Sequence, residues 1–393
     1  MVDISTALMI CATVIIVGFV ANYLFNKTRI PDMLILIFIG ALAGPILGAI
    51  EPAAVQSFAP YIAALALVYI LFDGGMGLTI QKVVKHSPRA VILAVVGFIL
   101  SVLVTAVITI VAFGVPILYG LLFGSIYGGS SSIVVISVAS KIKISEKAAT
   151  TLILESAITD ILCIVVSLVI IGVITTGQTN YSSIAVGIGG KFLIGAAIGV
   201  FVGLIWLLIM RRVNTLPFSY ILTLAIVMFA YAFSESLGGS GALSALLFGL
   251  VLGNEQQILS FFKLSDNGEV AITDGLRRFE SEIAFLIRTF FFVFLGIIAT
   301  FSSLSLLAVG VILSVALLGA RYGAVWLTTI KSEMRTESKL MSTILTRGLA
   351  AAVLATLPAQ YGLPYADLFV NTAVVVIVTT AIIASIGIFT NKK

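Results

Sequence analysis

Two acids in one apolar stretch, Glu155 and Asp160, are of a type and spacing that could do chemistry. They lie in Leu152-Ile153-Leu154-Glu155-Ser156-Ala157-Ile158-Thr159-Asp160-Ile161-Leu162. On a helix of 3.6 residues per turn, five residues turn the two carboxyls about 140° apart, so they need not share one site. Ser156 is four residues before Asp160 and lies on its face. A hydroxyl beside a carboxylate is half of a hard-cation site built from oxygen ligands. The alternative is that both acids are ion-paired to basic residues for packing. That is the preferred reading of Glu155, and the site is the preferred reading of Asp160.

These acids stand out because the chain around them is so apolar. Apolar residues make up 60% of the 393 positions and charged residues 10%, against about 25% charged in soluble domains. Mean hydropathy is +1.23. Long charge-free runs without alternation predict membrane-spanning helices, not barrel strands. A charge at the bilayer centre costs roughly 2.5–3.5 kcal/mol on insertion scales, so each one inside a run is a candidate. The set is Asp73, Glu155, Asp160, Arg288, Arg321 and Arg347, with Glu235 and Glu282 near run ends. Arg288, beside Phe290–Phe294, reads as a cation–π or snorkelling residue. Asp73 reads as a helix-end or mouth residue as readily as a transport residue. Cys11 and Cys163 read as small buried hydrophobes, with no disulfide or metal role.

The elements that must position these residues are about thirteen spans, long enough to cross a bilayer. They run over 5–25, 33–50, 57–78, 89–113, 115–137, 147–175, 183–209, 217–237, 240–256, 277–300, 303–330, 337–358 and 366–389. The N-terminus has no basic n-region, so its apolar run reads as a first span and not a cleaved signal peptide. Alternate loops and the C-terminus hold Lys27, Arg29, Lys82, Lys85, Arg89, Lys141, Lys143, Lys147, Arg211, Arg212, Lys263, Arg277, Arg278, Lys331, Arg335, Lys339, Lys392 and Lys393. The opposite loops hold no basic residue. By the positive-inside rule the N-terminus is outside and the C-terminus inside. This alternation accounts for the net charge of +5 and removes the case for a nucleic-acid partner. His86, in a basic loop, reads as solvated; a pH-sensing role has no support.

Two runs are interrupted. Tyr127-Gly128-Gly129-Ser130-Ser131-Ser132 breaks the fifth, and Leu345-Thr346-Arg347-Gly348-Leu349 breaks the twelfth. Glycine and serine weaken helix and free backbone carbonyls. Non-helical backbone at membrane depth persists only where protein or a water-filled cavity satisfies it. Paired breaks in two halves point to a midplane site in an inverted-repeat transporter, although close helix packing explains either glycine cluster taken alone. Arg347 would neutralise helix-end dipoles at the crossing.

With these residues in hand, the chain resembles the sodium/proton antiporters of the monovalent cation–proton antiporter superfamily over nearly its whole length. The resemblance rests on the Gly-Gly-Ser-Ser-Ser break and on Glu155-Ser-Ala-Ile-Thr-Asp160. It extends through Ser236 to Asn254, Phe290-Phe-Phe-Val-Phe-Leu-Gly296, Ala320-Arg321-Tyr322-Gly323 and Arg347-Gly348. It implies an all-α polytopic membrane protein, one transporter domain over 1–393, with two crossing broken helices. Core helices would lie at about 89–175 and 303–389, dimer-interface helices at about 5–78 and 217–300, and a linker helix at about 183–209. It also implies a homodimer in a prokaryotic plasma membrane, working by elevator-type alternating access with no cofactor. Asp160 falls on the carrier of cation or proton. Ser156, Ser130 and Ser131 fall on accessory ligands beside Thr159. Glu155 and Arg321 fall on a structural ion pair, and Gly129 and Arg347 on the helix crossing.

The chain departs from the family pattern twice. Many members have Asn or Asp just before the carrier; Thr159 stands there and cannot ionise, which favours electroneutral exchange. Many members with the Asn-Asp pair also place an Asp in the first break, where this chain has serines.

A bare carboxylate in low dielectric is relieved by either a proton or a cation, so the two compete. Competition with alternating access gives exchange of Na+ (or Li+) for H+. A K+/H+ antiporter of the same fold is the alternative. A cation channel is weaker, since no filter-like loop is present. A carrier of organic anions would want more converging cations. No metal-ligand cluster, nucleophile–base set or phosphate-binding loop suggests an enzyme.

Overall fold

In the computed structural model, every regular element among the described residues is helical. The described residues are all but 1–3, 29–30, 52–54, 56–57, 78–87, 132–143, 177–180, 214–215, 217, 262–273, 301–302 and 391–393. His86, most of the 257–276 loop and the last six residues of the fifth run, Ser132 among them, fall outside them.

Lipid offers backbone groups no partner, so each apolar run closes its own hydrogen bonds as a helix. In chain order these are α1 (Ile4–Thr28), α2 (Asp32–Ala41), α3 (Ala59–Gly77), α4 (Pro88–Phe113), α5 (Ile117–Ile126), α6 (Glu146–Thr176), α7 (Tyr181–Val213) and α8 (Ser219–Ser236). Then come α9 (Gly241–Gly253), α10 (Glu255–Phe261), α11 (Asp274–Ile298), α12 (Leu304–Thr329), α13 (Ser338–Thr343), α14 (Leu349–Leu354), α15 (Leu357–Gln360) and α16 (Ala366–Thr390). Eight of the helices are long and apolar enough to cross a membrane. α9 and α10 form a further pair bent by 80°. Four shorter apolar segments lie at Asp32–Ile46, Tyr61–Gly77, Ile117–Ile126 and Leu349–Gln360. Each run read from the sequence holds one of these elements. The bend between α9 and α10 was not legible there.

The chain packs as two compact units. One comprises Met1–Ala63, Arg89–Ile171 and Phe285–Lys393; the other comprises Ala64–Pro88 and Gly172–Ala284. In the second unit, α7 and α9 meet along a ladder of glycines. A Cβ on Gly199 would stand 2.8 Å from the Cα of Ser244, and one on Gly203 would stand 3.3 Å from the Cα of Phe248. Small residues at a four-residue spacing let membrane helices approach backbone to backbone, where dispersion replaces the missing hydrophobic drive. α9 begins at Ser240, whose hydroxyl accepts from the amide of Leu243, filling one orphan donor of the first turn.

The first unit contains Gly129, Ser130, Ser131, Glu155, Ser156, Thr159, Asp160, Arg321 and Arg347. Its α16 is buried along most of its length. The stem that leads into the second break is the short 3-10 turn Glu333–Glu337 followed by α13. This stem is held to the start of α6, where Glu337 accepts from the Ser145 amide at 2.7 Å and from the Ser145 hydroxyl at 2.6 Å. The carboxylate thus caps the helix that carries Asp160, and a negative group there suits the helix dipole.

Candidate functional site

Two breaks are present where the composition predicts them. α5 ends at Ile126, and Tyr127–Ser131 continues without helix. The second gap is Ile344–Gly348, between α13 and α14. Both segments are buried throughout, so their backbone groups need protein partners. Several such partners are visible. The Ser131 amide donates to the Thr346 carbonyl at 2.7 Å, joining one break to the other. The Arg347 amide donates to the Thr380 hydroxyl of α16 at 3.2 Å. An Arg347 guanidinium nitrogen, Nη1, donates to the Gly129 carbonyl.

Ser130 is the junction between the first break and α6. Its amide donates to the Thr159 hydroxyl at 3.3 Å. Its carbonyl accepts from the Ser156 hydroxyl at 2.6 Å. Its own hydroxyl lies 3.2 Å from each carboxylate oxygen of Glu155. Thr159 in turn donates to the Ser156 carbonyl at 3.0 Å. The side chains of Ser156 and Thr159 therefore tie the unwound strand to the helix. Their remaining lone pairs are what they could offer a cation.

Glu155 and Arg321 form a fork-to-fork pair, with Nη1–Oε1 at 2.8 Å and Nη2–Oε2 at 3.0 Å. They are 2% and 6% exposed. Arg321 Nε also lies 3.4 Å from the Met341 carbonyl on the stem of the second break. One ion pair thus connects α12, α6, the first break and α13. Buried pairs of this kind are expensive to break from one side, because the orphaned charge keeps its desolvation penalty.

Asp160 is half-buried, unlike Glu155. Its carboxylate lies against the other glycine of the break: a Cβ placed on Gly129 would stand 3.3 Å from Asp160 Oδ1 and 2.9 Å from Cys163 Sγ. Although the two acids point to different neighbours, they address consecutive residues of one unwound segment, Gly129 and Ser130. Space favours the glycine there, since a side chain would clash with the Cys163 sulfur and crowd the carboxylate. Ser131 contributes its backbone to the crossing, and its side chain lies against Gly348, whose Cβ would fall 2.7 Å from Ser131 Oγ.

Three features were missed from the sequence. Cys163 is next to Gly129, and its spacing of three from Asp160 signals a shared helix face. Thr380, inside α16 and part of no motif, supplies the acceptor for the Arg347 amide. Arg288 corrects its reading as a cation–π or snorkelling residue: its Nη2 lies 3.0 Å from Asp32 Oδ2. Asp32 is 3% exposed and also accepts from the Met33 amide at 3.0 Å. A carboxylate at that distance outcompetes an aromatic face for a partly buried guanidinium.

Paired breaks with a half-buried acid and a buried Glu–Arg pair beside them are the arrangement expected of an inverted-repeat transporter. A family model described as sodium/hydrogen exchanger, transmembrane, matches residues 12–390. The chain belongs to the sodium/hydrogen exchanger family. It is therefore a multi-pass membrane protein of a transporter family, not an enzyme. Among its exchanger relatives, a K+/H+ antiporter NhaP of Alkalimonas amylolytica is 27% identical over 391 residues, 96% of this chain and 65% of that protein. A K+/H+ antiporter NhaP2 of Shewanella baltica is 27% identical over 100% of this chain and 67% of its own length. The chain thus spans about two thirds of the length of these curated relatives. A probable Na+/H+ antiporter of Methanocaldococcus jannaschii is 26% identical over 71% of the chain. The solved structure of the sodium proton antiporter MjNhaP1 from the same organism superposes with a TM-score of 0.79 at 22% identity, covering 98% of this chain and 97% of that one. This exchanger therefore has that antiporter's fold.

Proposed function

We propose that this exchanger trades a monovalent alkali cation for a proton, with Asp160 binding either one. The observation that carries the reading is the half-buried Asp160 carboxylate against Gly129, at the place where the two unwound segments are bonded together. A carboxylate in such surroundings favours neutralisation. A proton neutralises it by covalent bonding, and a dehydrated alkali ion by charge and nearby oxygens. The hydroxyls of Ser156, Thr159 and Ser131 and the carbonyls of the break are oxygens of the right hardness. Since one acid serves both ions, exchange follows from competition once the site opens alternately to the two sides. Glu155 is already matched by Arg321 and takes no part in carrying charge. With Thr159 unable to ionise, one cation moves for one proton and the exchange is electroneutral. The protein works as a homodimer in the plasma membrane by elevator-type movement of its core, and calls on no cofactor.

Na+ or Li+ is the cation favoured by the resemblance of the motifs. K+ is the second reading, favoured by relatives named K+/H+ antiporters that match nearly all of the chain. Serines in place of an acid in the first break leave the site less negative, and a weaker field suits the larger, more easily dehydrated ion. The test is cation-driven proton flux in proteoliposomes with Na+, Li+ and K+ in turn. Asp160→Asn should abolish flux for whichever ion the wild type uses. Substantial exchange by the Asn variant would reject Asp160 as the carrier.

A further inference from the structure

Arg347 is a buried cation that forms no ion pair with an acid among the described residues. Glu155 faces Arg321, and Asp32 faces Arg288. Among the described residues no carboxylate oxygen lies within 4.0 Å of Arg347, which is 3% exposed. Its Nη1 donates to the Gly129 carbonyl, and its Nε is buried with no hydrogen-bond partner among the described residues. A guanidinium carries five donors in a rigid fork. Among the described residues it is held by its backbone and one carbonyl, few bonds for its charge.

The carbonyl it holds belongs to the residue beside Asp160. A backbone carbonyl freed by a broken helix, next to a carboxylate, is a strong ligand for an alkali ion. In this structure a protein cation occupies that oxygen. Arg347 is one residue from Thr346, which bonds to Ser131, so it is mounted on the crossing itself.

We propose that Arg347 is a resident competitor of the transported ion, and so an affinity-determining residue. Its guanidinium occupies the Gly129 carbonyl while Asp160 is protonated. An entering alkali ion takes that carbonyl together with the Asp160 carboxylate, and the guanidinium gives way. The ion must displace a charge-assisted hydrogen bond to bind, which weakens its hold and eases its release. This rests on the antiporter reading of Asp160.

The experiment measures KM and Vmax for Na+, and separately for K+, in proteoliposomes of wild type and Arg347→Gln at alkaline pH, where protons compete least. Removing the competitor should lower KM about three- to tenfold, the equivalent of one hydrogen bond, whatever happens to Vmax. An arginine with a purely structural role would lower Vmax and the yield of folded protein but leave KM unchanged. An unchanged or raised KM in folded Arg347→Gln protein overturns the proposal. Because the crossing can fail without its arginine, the wild type supplies a second arm. Infrared difference spectra between Na+-containing and Na+-free buffer, and likewise for K+, are taken with guanidinium-15N arginine. A cation-dependent band that moves with the label is expected, and its absence overturns the proposal. Failure of the wild type to couple any of these cations to protons would instead remove the antiporter reading itself.

Discussion

Ser131 and Thr346 bond two unwound segments to each other through their backbones, amide to carbonyl, at 2.7 Å. Neither residue could make this bond from within a helix, where its backbone partner would be one turn away. Gly348 makes the approach possible. A Cβ at that position would stand 2.7 Å from Ser131 Oγ and 2.8 Å from Ser131 Cβ. Gly348→Ala should therefore push the breaks apart and lengthen the bond. Losing one buried hydrogen bond is worth about 1 kcal/mol, so exchange should fall roughly five- to tenfold. Gly319→Ala is the control: nothing lies within 4 Å of a Cβ there, and alanine favours helix. If Gly348→Ala exchanged as fast as Gly319→Ala, the crossing would not be sensitive to that bond.

Glu155→Ala should damage stability before it damages ion selectivity. It strands Arg321, which is 6% exposed, and removes the acceptor of the Ser130 hydroxyl. Breaking a buried pair from one side costs about 3–5 kcal/mol. The purified variant should melt well below wild type. Replacing both partners with apolar residues, as in Glu155→Leu with Arg321→Met, should recover part of the loss, because no charge is left unmatched. An Ala variant as thermostable as wild type would remove the structural role.

What the sequence revealed and what it hid divides along physical lines. Helices were legible because lipid enforces one solution for every long apolar run. The breaks were legible because Gly128-Gly129-Ser130-Ser131 and Arg347-Gly348 combine poor helix formers with polar groups that cannot face lipid. The relation of Glu155 to Arg321, 166 residues away, came only through family resemblance; nothing local in either residue names its partner. Asp32 stands just before the second apolar run, outside the buried charges that composition singles out, and its partnership with Arg288 is set by packing. The spacing of Ser156 makes it a cation ligand beside Asp160, yet its hydroxyl also bonds the Ser130 carbonyl. Periodicity gives the face of a helix, but not which atom of the neighbouring strand waits there.

The Asp32–Arg288 pair yields a prediction of the opposite kind to Asp160. Among the described residues, no hydrogen bond or ion pair links it to Ser130, Thr159 or Arg347. It joins the start of α2 to α11, two helices that also meet closely at Gly40, whose Cβ would stand 3.0 Å from the Cα of Gly296. Asp32→Ala leaves a guanidinium without its carboxylate and should lower the melting temperature. The KM for the cation, measured on folded protein in proteoliposomes, should stay at the wild-type value. A changed KM with unchanged melting would instead make this pair part of the ion path.

Acidification should act on the exchanger as a competitive inhibitor. If Asp160 takes either a proton or an alkali ion, each protonated molecule is withdrawn from cation binding without being damaged. Apparent KM for Na+ or K+ should therefore rise in proportion to proton concentration once Asp160 is mostly protonated, while Vmax at saturating cation stays level. The measurement is a series of cation titrations of exchange at stepped pH, symmetric on both sides so that no gradient biases the result. Ser156→Ala should keep the same shape with a shifted cation affinity, since the hydroxyl touches the site but does not titrate in this range. A Vmax that falls with acid at constant KM would mean that a proton stops the movement from elsewhere and that Asp160 does not mediate the competition.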